Sequence, residues 1–258
     1  MPESDLSLLI DAAEEAGRIA NRYFQKDVKV WHKPDEAGPV TEADLAVDEM
    51  LRKGLTSARP DYGWLSEETT DSRERLAQDR VFIVDPIDGT RAFIDGGRDW
   101  GHSLAVVEKG VVLAAAVHLP QRNVTYAAAL GRGATRNGLP IVASRRVNLD
   151  AAQVLTTRPN LEPQHWRATA PPPFHRAFRS SLAFRLCLVA EGRFDAMLTL
   201  RPTWEWDVAA GSLIVAEASG AVSDRLGSHP LFNNPHPQIN GMVAGGKVLH
   251  EQLIDALV

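Results

Sequence analysis

The sequence predicts a mixed α/β fold, α+β in its first half and α/β in its second. Three observations predict it. Apolar residues recur at helical spacing through residue 55, β-rich apolar runs crowd positions 81–130, and beyond about residue 145 strand-like and helix-like segments alternate. A chain of 258 residues can build a sizeable core, as one large domain or two smaller ones. Its 44% apolar and 24% charged residues are the mix of an ordinary globular protein and exclude a disordered chain.

Leu6, Leu9, Ala13, Ala16, Ala20 and Tyr23 form the apolar stripe of a first helix, capped at Ser4. Residues 26–40 contain Pro34, Gly38 and Pro39 and read as a loop or short hairpin. Thr41 opens a second helix, with Asp44 three residues on as in a capping box, and Val47, Leu51 and Leu55 as its buried stripe. Val81–Val84 is a short apolar run suited to a buried strand that ends in a sharp turn. Two β-rich runs within 103–119 flank Glu108-Lys109-Gly110 and predict a hairpin; 124–130 predicts a further strand, and Asn137-Gly138 a tight turn. The second half reads as strand 152–157, helix 182–191, strand 194–200, helix 207–219, strands 220–224 and 241–245, and helix 247–257. Proline-rich 158–177 reads as a surface loop. The division falls near 145: a domain of residues 1–145 carrying most candidate ligands, and one of 146–258 carrying Asp207.

The net charge of −5 argues against a partner that is a nucleic-acid polymer, because such binding neutralises phosphates with a basic face. A small phosphorylated ligand needs only local positive charge. The single cysteine, Cys187, allows neither an intramolecular disulfide nor a cysteine-rich zinc site, and reads as a small core residue. The longest purely apolar stretch, Val111–Val117, is far too short to span a bilayer, and acids stand near the N-terminus where a signal peptide carries bases. No membrane partner and a cytoplasmic location are therefore expected.

Four stretches carry candidate chemistry. In Val84-Asp85-Pro86-Ile87-Asp88-Gly89-Thr90 a strand delivers two carboxylates into a turn that Pro86 stiffens and Gly89 lets bend closely. If Thr90–Ile94 is helical, its free N–H groups point where the carboxylates point. Carboxylates bind hard cations and helix N-termini bind phosphate, so the pair suits a metal-bound phosphate ester. Asp-Pro and Asp-Gly are also ordinary turn dipeptides. In Ser66-Glu67-Glu68-Thr69, Glu67 is the candidate ligand, and a solvated acid pair is the alternative. In Trp204-Glu205-Trp206-Asp207, Asp207 sits where a helix should begin, as ligand or as cap, and the tryptophans wall a cleft or fill the core. Lys33, Thr41 and Asp44 make the fourth group. His102 and His118 fall in strands and read as packed or exposed residues rather than ligands.

In order and spacing these stretches resemble the inositol monophosphatase family of Mg²⁺-dependent, Li⁺-sensitive phosphomonoesterases, over nearly the whole chain. "DPIDGTRAFIDG" is similar to the family's first signature, "WDVAAGSLIVAEASG" to its second, "SEET" to its upstream acidic pair and "VTEADLAVDE" to the helix contributing an early aspartate. The resemblance implies a layered αβαβα sandwich with the active site between its halves. It implies that Glu67, Asp85 and the Ile87 carbonyl hold a first Mg²⁺, and that Asp85, Asp88 and Asp207 hold a second, with two or three ions in all. Thr90, Asp44 and Glu67 would be catalytic, Thr90 and Asp44 by orienting the attacking water. The Gly89 and Thr90 amides would receive the phosphate, and Lys33 matches a family lysine near the site. A homodimer is compatible with the resemblance.

Five carboxylates meeting in one cleft demand cations: two unit charges about 4 Å apart repel by roughly 4 kcal/mol at an effective dielectric of 20. All-oxygen ligands select Mg²⁺ over zinc. The expected reaction is in-line attack by a metal-activated water with no phosphoenzyme, and Asp88→Asn is expected to stop turnover with the fold intact. "SSLAFRLCLVAEG", "PTWEWDVAAG" and "NGMVAGGKVLHEQLI" are similar to the branch hydrolysing 3′(2′),5′-bisphosphate nucleotides, with Ser180, Ser181 and Arg185 as candidate rim contacts. Leu200 stands where the inositol branch has an acid, and "LTLRPT" where the nucleotide branch has PRFGPT. Histidinol phosphatases share "DPIDGTRAFI", so that substrate stays open, as does inositol 1-phosphate. A non-catalytic metal- or phosphate-binding regulator on the same fold is the reading from another class; it would be expected to lack a ligand acid or Thr90, and all are present.

Overall fold

The computed structural model describes residues 4–32 and 38–258. Ser4 caps α1 (Asp5–Ala20), its hydroxyl accepting the Ser7 N–H. Two short strands, β1 (Val30–His32) and β2 (Pro39–Thr41), then pair antiparallel. Thr41 caps α2 (Glu42–Ala58) in a complete capping box, with the Asp44 carboxylate accepting the Thr41 N–H in return. Next come β3 (Gly63–Ser66), a 3₁₀ turn (Arg73–Ala77), β4 (Arg80–Asp88), α3 (Thr90–Ile94), β5 (Gly101–Glu108) and β6 (Val111–Leu119). The first half closes with β7 (Val124–Ala129), β8 (Ala134–Arg136) and β9 (Leu139–Pro140).

These strands form a seven-stranded sheet in the order β3-β4-β5-β6-β7-β8-β9, antiparallel except for β3 beside β4. Both tight turns read from the sequence are present: Lys109-Gly110 and Asn137-Gly138 each have two consecutive positive φ angles, the twist that suits two-residue hairpins.

The second half contains β10 (Gln153–Leu155), β11 (His175–Ala177), α4 (Leu182–Ala190), β12 (Ala196–Thr199), β13 (Thr203–Trp204), α5 (Glu205–Glu217), β14 (Gly220–Ser223), β15 (Gln238–Ile239), β16 (Met242–Gly246) and α6 (Lys247–Ala256). A five-stranded sheet runs β11-β10-β12-β16-β14, and β13 pairs with β15. Segment 158–177 is not merely a surface loop. It forms two 3₁₀ turns and β11, and buries Trp166, whose ring N–H donates to the Asn160 carbonyl.

Strand alternation decides the layers. Phe82, Val84, Leu104, Val106, Ala114 and Ala116 face α1 and α2, while their neighbours Val81, Ile83, Ala105, Val107, Ala115 and Val117 face α4 and α5. In the second sheet Leu155, Met197 and Ala244 face α4 and α5, and Val154, Leu198 and Val243 face α6. The result is the expected αβαβα sandwich. Lying between two sheets, α5 is apolar around most of its circumference. Gly211 lets it cross α4 closely: a Cβ there would sit 2.5 Å from Leu186 Cδ1. No helix among the described residues is long and apolar enough to cross a membrane.

Candidate active site

The sheet's parity also aims the acids. Glu67 follows Leu65 by two, and Asp85 follows Ile83 by two, so both acids share the face that packs on α4 and α5. The parallel β3–β4 pairing continues past β3, with the Glu67 N–H donating to the Val84 carbonyl at 3.2 Å. Glu67 therefore lies beside Asp85.

Asp88 is three residues from Asp85 and in a regular strand would face the opposite side. The strand does not end at Val84, as the sequence suggested. β4 runs on through Asp88, and between Asp85 (opposite Ser103) and Asp88 (opposite Gly101) it holds one residue more than β5. Pro86 has no N–H for the ladder, so a bulge falls there. The extra residue restores parity, and Asp88 returns to the face of Asp85.

Asp207 arrives from the other side of the cleft. It is not the cap of its helix: α5 begins at Glu205, because β13 runs straight into it and the Glu205 N–H donates to the Pro237 carbonyl. Asp207 is the third helical residue, still within the first turn, where the helix dipole favours a carboxylate. Carboxylate oxygens of Glu67, Asp85 and Asp207 lie within 4.8 Å of one another.

Asp85 is 1% exposed, and its Oδ1 has no hydrogen-bond partner. Burial, followed by the charges of Glu67, Asp88 and Asp207, pushes its carboxyl well above the usual range. A buried oxygen without a donor, facing other carboxylates, fits a hard divalent cation.

Asp88 is not one of the three. Its Oδ2 accepts from the Ser181 hydroxyl and the Ala183 N–H, both at 2.6 Å, and its Oδ1 from the Leu182 N–H at 3.2 Å. Burial raises its carboxyl to about 6 against the opposing pull of those donors and of Arg185. Three of its lone-pair positions thus hold the head of α4. Asp88→Asn is therefore expected to loosen the head of α4 as well as the site.

Ser181 is not a rim residue. It is buried, caps α4 by accepting the Phe184 N–H, and spends its proton on Asp88. Arg185 is also buried rather than at the rim. Its Nε donates to the Arg179 carbonyl at 2.6 Å and its guanidinium lies 4.7 Å from the Phe178 ring centroid. Burial lowers it to about 10 against the attraction of Asp88 and Asp207. Ser180 is exposed, and Lys33 lies outside the described residues.

Thr90 begins α3, with its hydroxyl 3.1 Å from the Ile87 carbonyl and 3.3 Å from Asp44 Oδ1. The other Asp44 oxygen accepts the Thr41 N–H and hydroxyl, which fixes the carboxylate plane. Gly89 precedes α3 at φ 98 and brings no side chain to cap it, so no side chain takes up the first-turn amides. Thr90→Val removes this hydroxyl at little volume cost. It is expected to lower kcat by about 10²-fold or more with Mg²⁺ affinity nearly unchanged, as steady-state kinetics across a Mg²⁺ series will measure.

Sequence reasoning missed three supporting groups. Asp48 receives the Ser66 hydroxyl at 2.5 Å and the Thr69 hydroxyl at 2.6 Å, and so pins both sides of Glu67. Its signal was present: it follows Asp44 by four, on the buried face of α2. His102, for which the sequence left packed and exposed both open, is fully buried, and Nδ1 lies 2.5 Å from the Pro86 carbonyl. A carbonyl only accepts, so the proton sits on Nδ1. Burial lowers His102 to about 3, which keeps it neutral. The third group, around Arg75 and Glu205, joins residues too distant in the chain to be paired by reading. Of the two tryptophans, Trp206 fills the core and Trp204 stacks on it at 4.8 Å, with His236 against its outer edge.

The chain is similar over 98% of its length to the histidinol-phosphatase of Chlorobaculum parvum, at 30% identity with 96% of that protein covered. It is 31% identical to the Nus factor SuhB of Pseudomonas aeruginosa, with 98% and 95% covered. It is 29% identical to the 3′(2′),5′-bisphosphate nucleotidase CysQ of Haemophilus influenzae, with 91% and 90% covered. Among solved structures the IMPase of Thermotoga maritima superposes with a TM-score of 0.83 at 28% identity, covering 97% of this chain and 95% of that one. The family model for the inositol monophosphatase family matches residues 1–258. With that match on an acid cage of this geometry, the chain belongs to the inositol monophosphatase family, whose phosphatases are in general Mg²⁺-dependent.

Proposed function

We propose that the protein is a Mg²⁺-dependent phosphomonoesterase that removes phosphate from a 3′(2′),5′-bisphosphate nucleotide. The observation that carries the phosphatase reading is the meeting of Glu67, Asp85 and Asp207 carboxylates, one of which, buried Asp85, has an oxygen that no donor satisfies. In this reading Glu67, Asp85, Asp207, the Ile87 carbonyl and the remaining lone pair of Asp88 hold two or three Mg²⁺. Bound Mg²⁺ supplies a water of lowered pKa and neutralises charge on the phosphoryl and leaving oxygens. The chain's own groups do the rest. The Thr90 hydroxyl donates to Asp44 and accepts from the attacking water, which aligns that water and gives its proton a path to a carboxylate. The uncapped amides of Gly89 and Thr90 hold the phosphoryl oxygens.

Three features support a nucleotide bearing a second phosphate. Trp204, stacked on Trp206 beside Asp207, offers a flat wall to a base. The exposed Arg201, in the segment between β12 and β13, is a cation available to a second phosphate. Leu200 is buried against α6 and offers no acid to a sugar hydroxyl. The likeness to histidinol-phosphatase favours a second substrate, histidinol phosphate. The likeness to a Nus factor keeps a non-catalytic regulator as the reading from another class.

The test is phosphate release with Mg²⁺ from adenosine 3′,5′-bisphosphate, inositol 1-phosphate and histidinol phosphate. The expected result is the highest kcat/KM for the bisphosphate. A faster reaction with either of the others would reassign the substrate. No release from any, with Mg²⁺ still bound, would favour the regulator.

A further inference from the structure

Arg75 is 2% exposed and Glu205 fully buried, yet they do not touch. Arg75 holds Asp71 through Nε at 2.7 Å and Nη2 at 3.0 Å. It also donates to the Asn233 side-chain oxygen at 2.5 Å and to the Asn234 carbonyl at 2.9 Å. Glu205 accepts the N–H groups of the same two asparagines at 2.6 and 2.9 Å and the Asn234 side-chain amide at 2.7 Å. Each asparagine thus accepts from the arginine and donates to the glutamate, which admits only one arrangement of the three segments.

The two ends of this chain of hydrogen bonds are tied to the segments that carry two of the clustered acids. Asp71 is four residues beyond Glu67, in a segment that follows an edge strand. Glu205 is two residues before Asp207, in the first turn of a helix whose preceding residue offers no side-chain cap. Burying a guanidinium and a carboxylate costs several kcal/mol each, so apolar residues of like volume would hold these segments together at least as well. A hydrogen-bonded polar network adds directional geometry, and the segments it joins are the one following Glu67 and the helix turn bearing Asp207.

We propose that Arg75 and Glu205, joined through Asn233 and Asn234, are positioning residues that set the spacing of Glu67 against Asp207 and thereby the protein's affinity for Mg²⁺. This rests on the reading of the acid cage as a Mg²⁺ site.

The experiment is calorimetric titration of Mg²⁺ alone into the wild-type protein, Arg75→Lys and Glu205→Gln, with thermal unfolding of each in chelator. Lys keeps the charge and loses the fork; Gln keeps the shape and turns a donor toward the asparagine N–H groups. The expected result is Mg²⁺ binding weakened by about 10–100-fold in both variants, with the Mg²⁺ concentration for half-maximal phosphate release raised and kcat largely recovered at saturating Mg²⁺. Variants that unfold at lower temperature but bind Mg²⁺ as the wild type does would overturn the proposal, since a merely structural network moves only the first readout. Should Arg75→Lys not fold, the Glu205→Gln titration decides alone. A wild-type protein that takes up no Mg²⁺ would sink the cage reading itself, a result distinct from unchanged variants.

Discussion

Asp85→Asn is expected to abolish phosphate release and at the same time to stabilise the protein in chelator. Both effects have one cause. Asp85 is buried among Glu67, Asp88 and Asp207 with one oxygen lacking a donor, an arrangement that costs free energy until a cation neutralises it. Asparagine removes the charge, so turnover falls by roughly 10³-fold or more, because a metal ion contributes several kcal/mol and each 1.4 kcal/mol is about tenfold in rate. Without metal the variant gains on the order of 1–3 kcal/mol from lost repulsion, or a rise in Tm of about 5 °C for a chain of this size.

The pH dependence fixes the assignment. A carboxyl raised in the folded state binds its proton there while the unfolded chain has released it. Metal-free stability is therefore lost as pH rises from about 4 through the elevated folded value. For Asp88 that window closes near 6; Asp85, raised first by burial and then by the charges of Glu67, Asp88 and Asp207, loses stability in the same direction. His102, lowered to about 3, acts in the opposite sense, since below about 6.5 only the unfolded chain takes up its proton. It does so equally in both proteins, and the difference between wild type and Asp85→Asn cancels it. The variant's advantage should be largest near pH 8 and shrink toward pH 4, read by calorimetry in chelator. An advantage independent of pH would show that charge at Asp85 is not its origin.

Gly89→Ala should damage both stability and turnover through a single added methyl. Gly89 sits at φ 98, a region that L side chains seldom adopt, and a Cβ there would approach the Asp99 carbonyl oxygen to 2.9 Å and the Trp100 Cα to 3.3 Å. Both neighbours are backbone, and Trp100 is fully buried, so neither yields. Strain of this kind costs about 1–3 kcal/mol. The larger effect is on rate. The segment from Asp85 to Thr90 carries two acids and, in the proposed mechanism, the amides that take the phosphate and the hydroxyl that orients the water, and a displacement of about 1 Å can cost 10²-fold in kcat. The expected outcome is a Tm lowered by several degrees and kcat lowered by about 10²-fold or more. Wild-type kinetics in a folded Gly89→Ala would mean that the left-handed turn is dispensable.

Most elements were legible because their causes are local. The Thr41–Asp44 capping box, the Lys109-Gly110 and Asn137-Gly138 turns, and the stripes of α1 and α2 each follow from residues a few positions apart, and the structure contains all of them. The extent of β4 was misread because a proline and two acids suggest a turn, whereas pairing with β5 carries the strand through them. The start of α5 was misread because its entry is set by β13 and by Pro237 rather than by a capping side chain.

By itself, the sequence determined which residues are the candidates for chemistry: the acids, Thr90 and Gly89 stand in short motifs whose residue types suit a metal-bound phosphate ester. The tertiary structure alone decided what each acid meets. One extra residue in β4 turns Asp88 toward the head of α4, so that Ser181 becomes its donor instead of a substrate contact. Arg75 and Glu205, more than a hundred residues apart, meet only through a loop that neither adjoins. Periodicity reports the face a side chain occupies, since that depends on neighbours in the chain; its partner depends on how the layers stack, which no local pattern encodes.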